Sequence, residues 1–347
     1  MKHVVVCYEQ GKFNGWPANG GIWIWGQEIL VSFNHGLYHY YDDRHSIDPN
    51  APMAVAFARS LDGGETWASE IRPELFRSAA RPVPDGGLDC AHPDFVLRIG
   101  RPAVAIEGDT FVVSYDRGHT WQGPYVFPNL GNPLTSRTRY RVWGPGRMDI
   151  YASWQDPALA GMSYQDQSFV LRTEDGGQSW QRLSPMTDNK ARAVMPDVAV
   201  LPDGTLVAAL RRKSDRLLPD GTRVEDNWIA AVRSADGGAH WSMAAERAAE
   251  TSCNMGRNGN PALAVLPDGR LVLVFGYRGE HPAIKARVSA DGGFTWGKEI
   301  ILRDDPKSHD IGYPRLTVRP DGTLVAVYYY TSAALPEQHI EATLFTV

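Results

Sequence analysis

The octapeptide Ser-Leu-Asp-Gly-Gly-Glu-Thr-Trp, Ser60 to Trp67, returns as Ser114 to Trp121, Thr173 to Trp180, Ser234 to Trp241 and Ser289 to Trp296. The shared pattern is [Ser/Thr]-x-Asp-x-Gly-x-x-Trp, and successive copies start 54, 59, 61 and 55 residues apart. A period of this size marks a repeat architecture, in which each unit buries its apolar surface against the next. The chemistry of the octapeptide is that of a tight turn. Its Asp bonds back to the local backbone and its Gly accepts positive φ, so the segment closes a hairpin. Strand-like runs lead into it, such as Phe57-Ala58-Arg59, Phe169-Val170-Leu171-Arg172 and Ala286-Arg287-Val288. Each Trp supplies a large ring to pack between neighbouring units.

The units follow in order. Lys2 to Tyr8 reads as a strand that precedes the first unit. The first unit holds Ile22 to Trp25 and Glu28 to Phe33, the second Phe95 to Ile99 and Thr110 to Val113, the third Tyr140 to Trp143 and Met148 to Ala152. The fourth holds Asp197 to Leu201 and Leu206 to Leu210, the fifth Leu263 to Leu266 and Leu271 to Phe275. The sixth has Leu316 to Val318, Leu324 to Tyr328 and Ile340 to Phe345 but no closing octapeptide. The N-terminal strand supplies what that unit lacks, closing the ring and removing its open edges. No linker, low-complexity segment or long amphipathic helix interrupts the series, so one domain over residues 1–347 is expected.

A second repeat locates a candidate site. Met195-Pro196, Asn260-Pro261 and Tyr313-Pro314 each lie eight residues before an Asp-Gly pair, Asp203-Gly204, Asp268-Gly269 and Asp321-Gly322. The Asp-Gly turn joins first and second strands and the Trp-containing turn joins third and fourth, so alternation places both at one end of the ring. The opposite end receives the starts of first strands: His92, Arg139, Met195, Asn260 and Tyr313. It also receives the ends of second strands, Asn34, His35, Arg211, Arg278 and Tyr329, with Arg192, Asn258, His309 and Asp310 close by. Several cations, acids and a tyrosine on one face suit an anionic ligand, because guanidinium–carboxylate pairing is strong and directional. Arg211 and Arg212 exchange roles if the strand register shifts by one.

The octapeptide resembles the Asp box, or BNR repeat, of the sialidase superfamily, and the resemblance covers nearly the whole chain. It implies an all-β fold: a six-bladed β-propeller of four-stranded antiparallel blades, closed by the N-terminal strand. It also implies a glycosidase that holds a sugar carboxylate with three arginines and uses a tyrosine nucleophile paired with a glutamate, and an aspartate as acid/base. Tyr313 matches the nucleophile's motif, Arg211 the second arginine, and Arg278 is similar in place to the third. The sequence departs from the pattern elsewhere. The first arginine's segment is Asn19-Gly20-Gly21-Ile22-Trp23, the partner glutamate's place is Met195, and that of the late glutamate of blade six is Tyr329. Arg44, Arg139 or Arg192 is left to replace the first arginine, and Asp42, Asp43 and Asp48 are candidates for the acid/base.

The expected function is therefore a sialidase-like glycoside hydrolase acting on a terminal acidic sugar of sialic or uronic acid type. The catalytic candidates are Tyr313, Asp310, Asp43, Asp48 and His92; the substrate-binding candidates are Arg211, Arg278, Arg139, Arg192, Asn260, His35 and Tyr329. Two alternatives use the same scaffold: a polysaccharide lyase, with Tyr313 or His92 moving the proton, and a non-catalytic glycan-binding propeller. The five box aspartates, Asp62, Asp116, Asp175, Asp236 and Asp291, are read as structural. No cofactor or metal is expected. Cys7, Cys90 and Cys253 are too few and too scattered for a disulfide framework or a metal-ligand spacing. A net charge of -5 offers no basic field for nucleic acid or membrane. The opening Met-Lys-His-Val-Val-Val-Cys has too short an apolar run for a signal peptide, so a cytoplasmic location is the default expectation, with loss of a leader left open.

Overall fold

The computed structural model describes residues 1–100, 109–127, 134, 139–155, 166–187, 191–253 and 258–347. Among these the strands form six antiparallel sheets, the blades of a β-propeller. Blade four shows the pattern most plainly. Strands β14 (Arg192–Val200), β15 (Leu206–Leu217), β16 (Arg223–Ser234) and β17 (Ser242–Cys253) pair in that order. The Asp203-Gly204 turn joins the first two, and the Ser234–Trp241 box joins the last two. Blade three repeats this with β10 (Tyr140–Val142), β11 (Met148–Gln155), β12 (Asp166–Thr173) and β13 (Gln181–Pro185). Blade five does so with β18 (Pro261–Val265), β19 (Leu271–Tyr277), β20 (Ala283–Ser289) and β21 (Ile300–Arg303).

Blade six is shared by the two ends of the sequence. It runs β22 (Gly312–Val318), β23 (Leu324–Tyr330), β24 (His339–Phe345) and then β1 (Lys2–Cys7), with Lys2 opposite Leu344. The N-terminal strand thus closes the ring. Blade one carries an extra piece. Its inner edge is split into β2 (Lys12–Gly15) and β3 (Gly21–Trp25), both paired with β4 (Glu28–Leu37), and followed by β5 (Ala54–Ser60) and β6 (Ala68–Arg72). A single helical turn, α1 (Pro17–Gly20), lies between the two pieces.

Blade two departs from the expected direction. Its described strands are β7 (Val96–Gly100), β8 (Thr110–Ser114) and β9 (Gln122–Val126). Because β8 runs straight into the Ser114–Trp121 box, its antiparallel neighbour β7 begins at the box end and not at the opposite end. Asp94, just before β7, accordingly accepts from Arg117 of that box at 2.6 Å.

Apolar residues pack between blades. Val207, Ala209 and Ile229 of blade four meet Leu263, Leu273 and Phe275 of blade five in one buried cluster. The box tryptophans seal the same seams: Trp121 stacks on Phe57 of blade one, with ring centroids 5.0 Å apart. Within each box the hydroxyl residue is buried. Ser234 is 2 % exposed; it donates to Asp236 at 2.7 Å and accepts from Gly238 N at 2.8 Å. The second glycine carries a positive φ, 97° at Gly293, and a Cβ there would press on Val207 at 3.2 Å.

Candidate functional site

Tyr313 is placed by a local backbone device. The β22–β23 register breaks between Gly312 and Arg315, and Tyr313 has φ +48° immediately before Pro314. Met195 repeats it with φ +54° before Pro196, where the β14–β15 register breaks between Val194 and Asp197. A bulge of this kind turns a side chain out of the sheet's alternation. Left-handed conformations at non-glycine residues persist where the surrounding structure imposes them, often at functional sites.

Five groups converge on Asp310, which is 2 % exposed. His45 Nδ1 lies 2.6 Å from Oδ1, Tyr329 donates its hydroxyl to Oδ1 at 2.5 Å, and Arg278 Nη2 donates to it at 3.1 Å. On Oδ2, the Ser46 backbone N–H donates at 3.0 Å and Gln338 Nε2 at 3.1 Å. Burial alone would push this carboxyl up. The bond from His45 and the charges of His45 and Arg278 outweigh it and hold the carboxyl down at about 2. Burial and the Asp310 charge push the Tyr329 phenol well above its ordinary value.

Arg278 is consumed by this network. It is 6 % exposed, donates Nε to Ile311 O at 2.9 Å, and bonds Tyr329 as well as Asp310. Arg211 is different. Val194 and Ile229 lie opposite it, and its Nη1 stands 3.5 Å from the Tyr313 hydroxyl and 3.6 Å from Met195 Sδ. Among the described residues its hydrogen bonds and ion pairs include no carboxylate, and it is partly exposed. Burial pulls its guanidinium down from the ordinary arginine value. Burial would push the Tyr313 phenol up, but the Arg211 and Arg278 charges prevail and hold it below the ordinary tyrosine value. The next residue, Arg212, points to the other face of the sheet and lies over Trp228 with its guanidinium 5.8 Å from the ring centroid.

The structure thus brings Tyr313, Asp310, Arg211, Arg278 and Tyr329 together, from blades four, five and six. The rest stand outside this network, although Arg192 is close enough for its charge to act on Arg211 and Asn260 shares a small cavity with Met195. His92 stands at the box end, its ring 5.4 Å from that of Tyr115, because β7 enters blade two from that end. Arg139 is paired with Asp197 at 2.5 Å and Arg192 with Asp166 at 2.5 Å. His35 bonds Asn14 at 2.9 Å. Asn260 is buried and its Oδ1 has no partner among the described residues. Asp48 accepts from Asn50 N at 2.9 Å within its own loop, and Asp43 is exposed and pairs with neighbouring Arg44 at 3.0 Å. These two aspartates sit on the loop that delivers His45 to Asp310. Sequence reasoning missed His45 and Gln338, since neither lies in a repeat. His45 lies against Tyr313 and Trp16, with centroids 5.7 and 5.0 Å away. Among the described residues, no group of three or more His, Cys, Asp or Glu is placed to hold a metal ion.

Residues 96–326 match the BNR repeat-like domain. The chain belongs to the BNR repeat-like domain family. No curated protein matches it. Among solved structures, a protein of unknown function from Dyadobacter fermentans is similar over 99 % of this chain and 97 % of its own, with 22 % identity and a TM-score of 0.69. The GH93 α-L-arabinofuranosidase of Fusarium graminearum, solved with arabinobiose, is similar over 100 % and 98 %, with 14 % identity and a TM-score of 0.64. The NanB sialidase of Streptococcus pneumoniae is similar over 99 % of this chain and 70 % of its own, with 11 % identity and a TM-score of 0.60. At such identities the likeness of this BNR repeat-like chain to each of them is one of fold. No helix among its described residues is long and apolar enough to cross a membrane.

Proposed function

We propose that the chain is a glycoside hydrolase that removes a terminal sugar bearing a carboxylate from a glycan. The observation that carries this is Arg211, a partly exposed guanidinium with no acidic partner among the described residues, 3.5 Å from the Tyr313 hydroxyl. A cation left unneutralised beside a phenol suits an anionic ligand. In the reaction, Arg211 holds the sugar carboxylate and the Tyr313 oxygen, giving its proton to solvent, attacks the anomeric carbon as the bond to the leaving oxygen breaks; water then hydrolyses the sugar–tyrosine bond and releases the sugar. A tyrosine serves here because an anionic nucleophile would be repelled by the bound carboxylate. Arg278, Tyr329 and Asp310 form a rigid wall that keeps Tyr313 in an electropositive setting. His45, held by Asp310 and only partly buried, supplies the proton to the leaving oxygen.

A second reading is favoured by Met195. It stands beside Arg211, where the sialidase pattern has a glutamate to relieve the tyrosine of its proton. The remaining set, Arg211, Tyr313 and His45, suits a lyase acting on a uronate. Arg211 would neutralise the carboxylate, Tyr313 or His45 would take the proton next to it, and the bond to the leaving oxygen would break as a ring double bond forms. One experiment separates these readings. Sialosides and uronate-containing glycans are incubated with the protein, and released sugar and ultraviolet absorbance are followed together. Saturated sugar without new absorbance supports hydrolysis. An absorbing unsaturated uronate supports the lyase. Binding without either product overturns both in favour of a glycan-binding propeller.

A further inference from the structure

Beside Asp310, on the same end of the ring, a cavity of about 290 Å³ opens between blade one and the loops of blades five and six. Its walls include Tyr38 and Tyr40 on the loop after β4, Lys307 before β22, and Thr331 and Gln338 between β23 and β24. We propose that this cavity is a subsite for the second sugar of the glycan, on the leaving-group side of the terminal acidic residue. The assignment rests on the hydrolase reading above, since a terminal sugar held at Arg211 and Tyr313 has its only neighbour on that side.

Four observations carry it. First, the cavity and the site share a wall. Gln338 lines the cavity and donates to Asp310, and Ser308, also in the lining, accepts from Asp310 N at 3.2 Å. Second, the lining is mixed in the way sugar recognition needs. The apolar face of a sugar ring packs on an aromatic ring, while its rim hydroxyls need polar partners. Tyr40 is 57 % exposed, so part of its ring is free for a sugar to cover, and Lys307 is exposed with no ion pair among the described residues. Third, the Gln338 amide oxygen is buried and lacks a donor among the described residues. An acceptor without a donor at the shared wall is the kind of group that a sugar hydroxyl satisfies. Fourth, the walls are pre-formed. Tyr38 N donates to Gly11 O at 3.1 Å, Lys307 N to Thr331 O at 3.1 Å, and Thr331 Oγ1 to Pro336 O at 2.7 Å. A rigid pocket loses little freedom on binding.

The test measures dissociation constants by calorimetry, using the Tyr313→Phe protein so that the probes survive. The probes are sialyllactose against N-acetylneuraminic acid, and a glucuronyl disaccharide against glucuronic acid. Adding Tyr40→Ala is expected to weaken the longer probe of the bound pair about tenfold and to leave its monosaccharide unchanged. Lys307→Ala is expected to act in the same selective way, with a smaller effect. Tyr40 and Lys307 are exposed, so neither change threatens folding. If both variants bind the longer probe as tightly as their parent, the subsite is wrong while the hydrolase reading stands. If they weaken mono- and oligosaccharide equally, the residues belong to the terminal-sugar site and the subsite is again wrong. If no probe binds the parent or the wild-type protein, the hydrolase reading falls and the subsite falls with it.

Discussion

Asp310 reaches the interior already committed. Its carboxylate is met by an imidazole, a phenol, a guanidinium, an amide side chain and a backbone N–H. Such a group links stability to pH. Its folded value is near 2, below the ordinary carboxylate range, so its contribution is present above about pH 4. That contribution, roughly 2 kcal/mol, is lost as pH falls from about 4 through about 2. Melting temperatures between pH 6 and pH 2 should therefore fall less steeply in Asp310→Asn than in the wild type; parallel curves would refute the assignment. Arg211→Ala should weaken binding of an acidic sugar by about 1.5–3 kcal/mol, the range for a hydrogen bond to a charged group. The loss should shrink when the carboxylate is reduced to an alcohol, and an equal loss on both sugars would remove Arg211 from that role. Tyr313 carries its own signature. With two guanidiniums lowering its phenol, tyrosinate absorbance should rise earlier in the wild type than in Tyr313→Phe. Superimposable titrations would count against it.

At the scale of the element, the box is a hydroxyl-centred turn as much as an aspartate-centred one. Asp236 is half exposed, whereas Ser234 is buried and satisfies the Gly238 N–H. Ser234→Ala should cost about 1–3 kcal/mol by leaving that N–H unmet, with ligand affinity unchanged in the folded fraction. A selective loss of affinity at constant melting temperature would move the box into the site. The box was legible because turn chemistry is local and was repeated five times. Tyr313 and Arg211 were legible for the same reason, since each lies eight residues from an Asp-Gly turn. Arg278 was only half legible: its position followed from the repeat, but its capture by Asp310 depends on Tyr329 and on a blade-one loop. His45 sits on that loop, 265 residues from Asp310 and outside every repeat, so no spacing could announce it. His92 went astray for a different reason. The unit count gave blade two a first strand starting at the far end, while its chain travels along the box face and enters β7 from there.

The molecule as a whole depends on one seam. β1 covers the outer edge of β24, and Tyr8, just past it, donates to Glu337 at 2.8 Å. Deleting residues 1–10 would bare that edge, which is a template for pairing with other chains. The truncated protein should melt lower and aggregate, as followed by light scattering during heating. A monodisperse truncation with the original melting temperature would show that closure is dispensable.

The same seam sets a clock on biosynthesis. β1 is made long before β24, so the pairing of Lys2 with Leu344 must wait for all of the chain between them. At roughly 5–20 residues per second, that wait is tens of seconds on the ribosome. Throughout it, a segment containing three consecutive valines, Val4 to Val6, has no partner strand. Bringing such distant segments together is also the costliest loop closure the chain must make. A circularly permuted version, opened near Gly11 and carrying β1 directly after β24, would turn the closing contact into a local hairpin. It should reach the same ring sooner after synthesis, with less material lost to aggregation on the way.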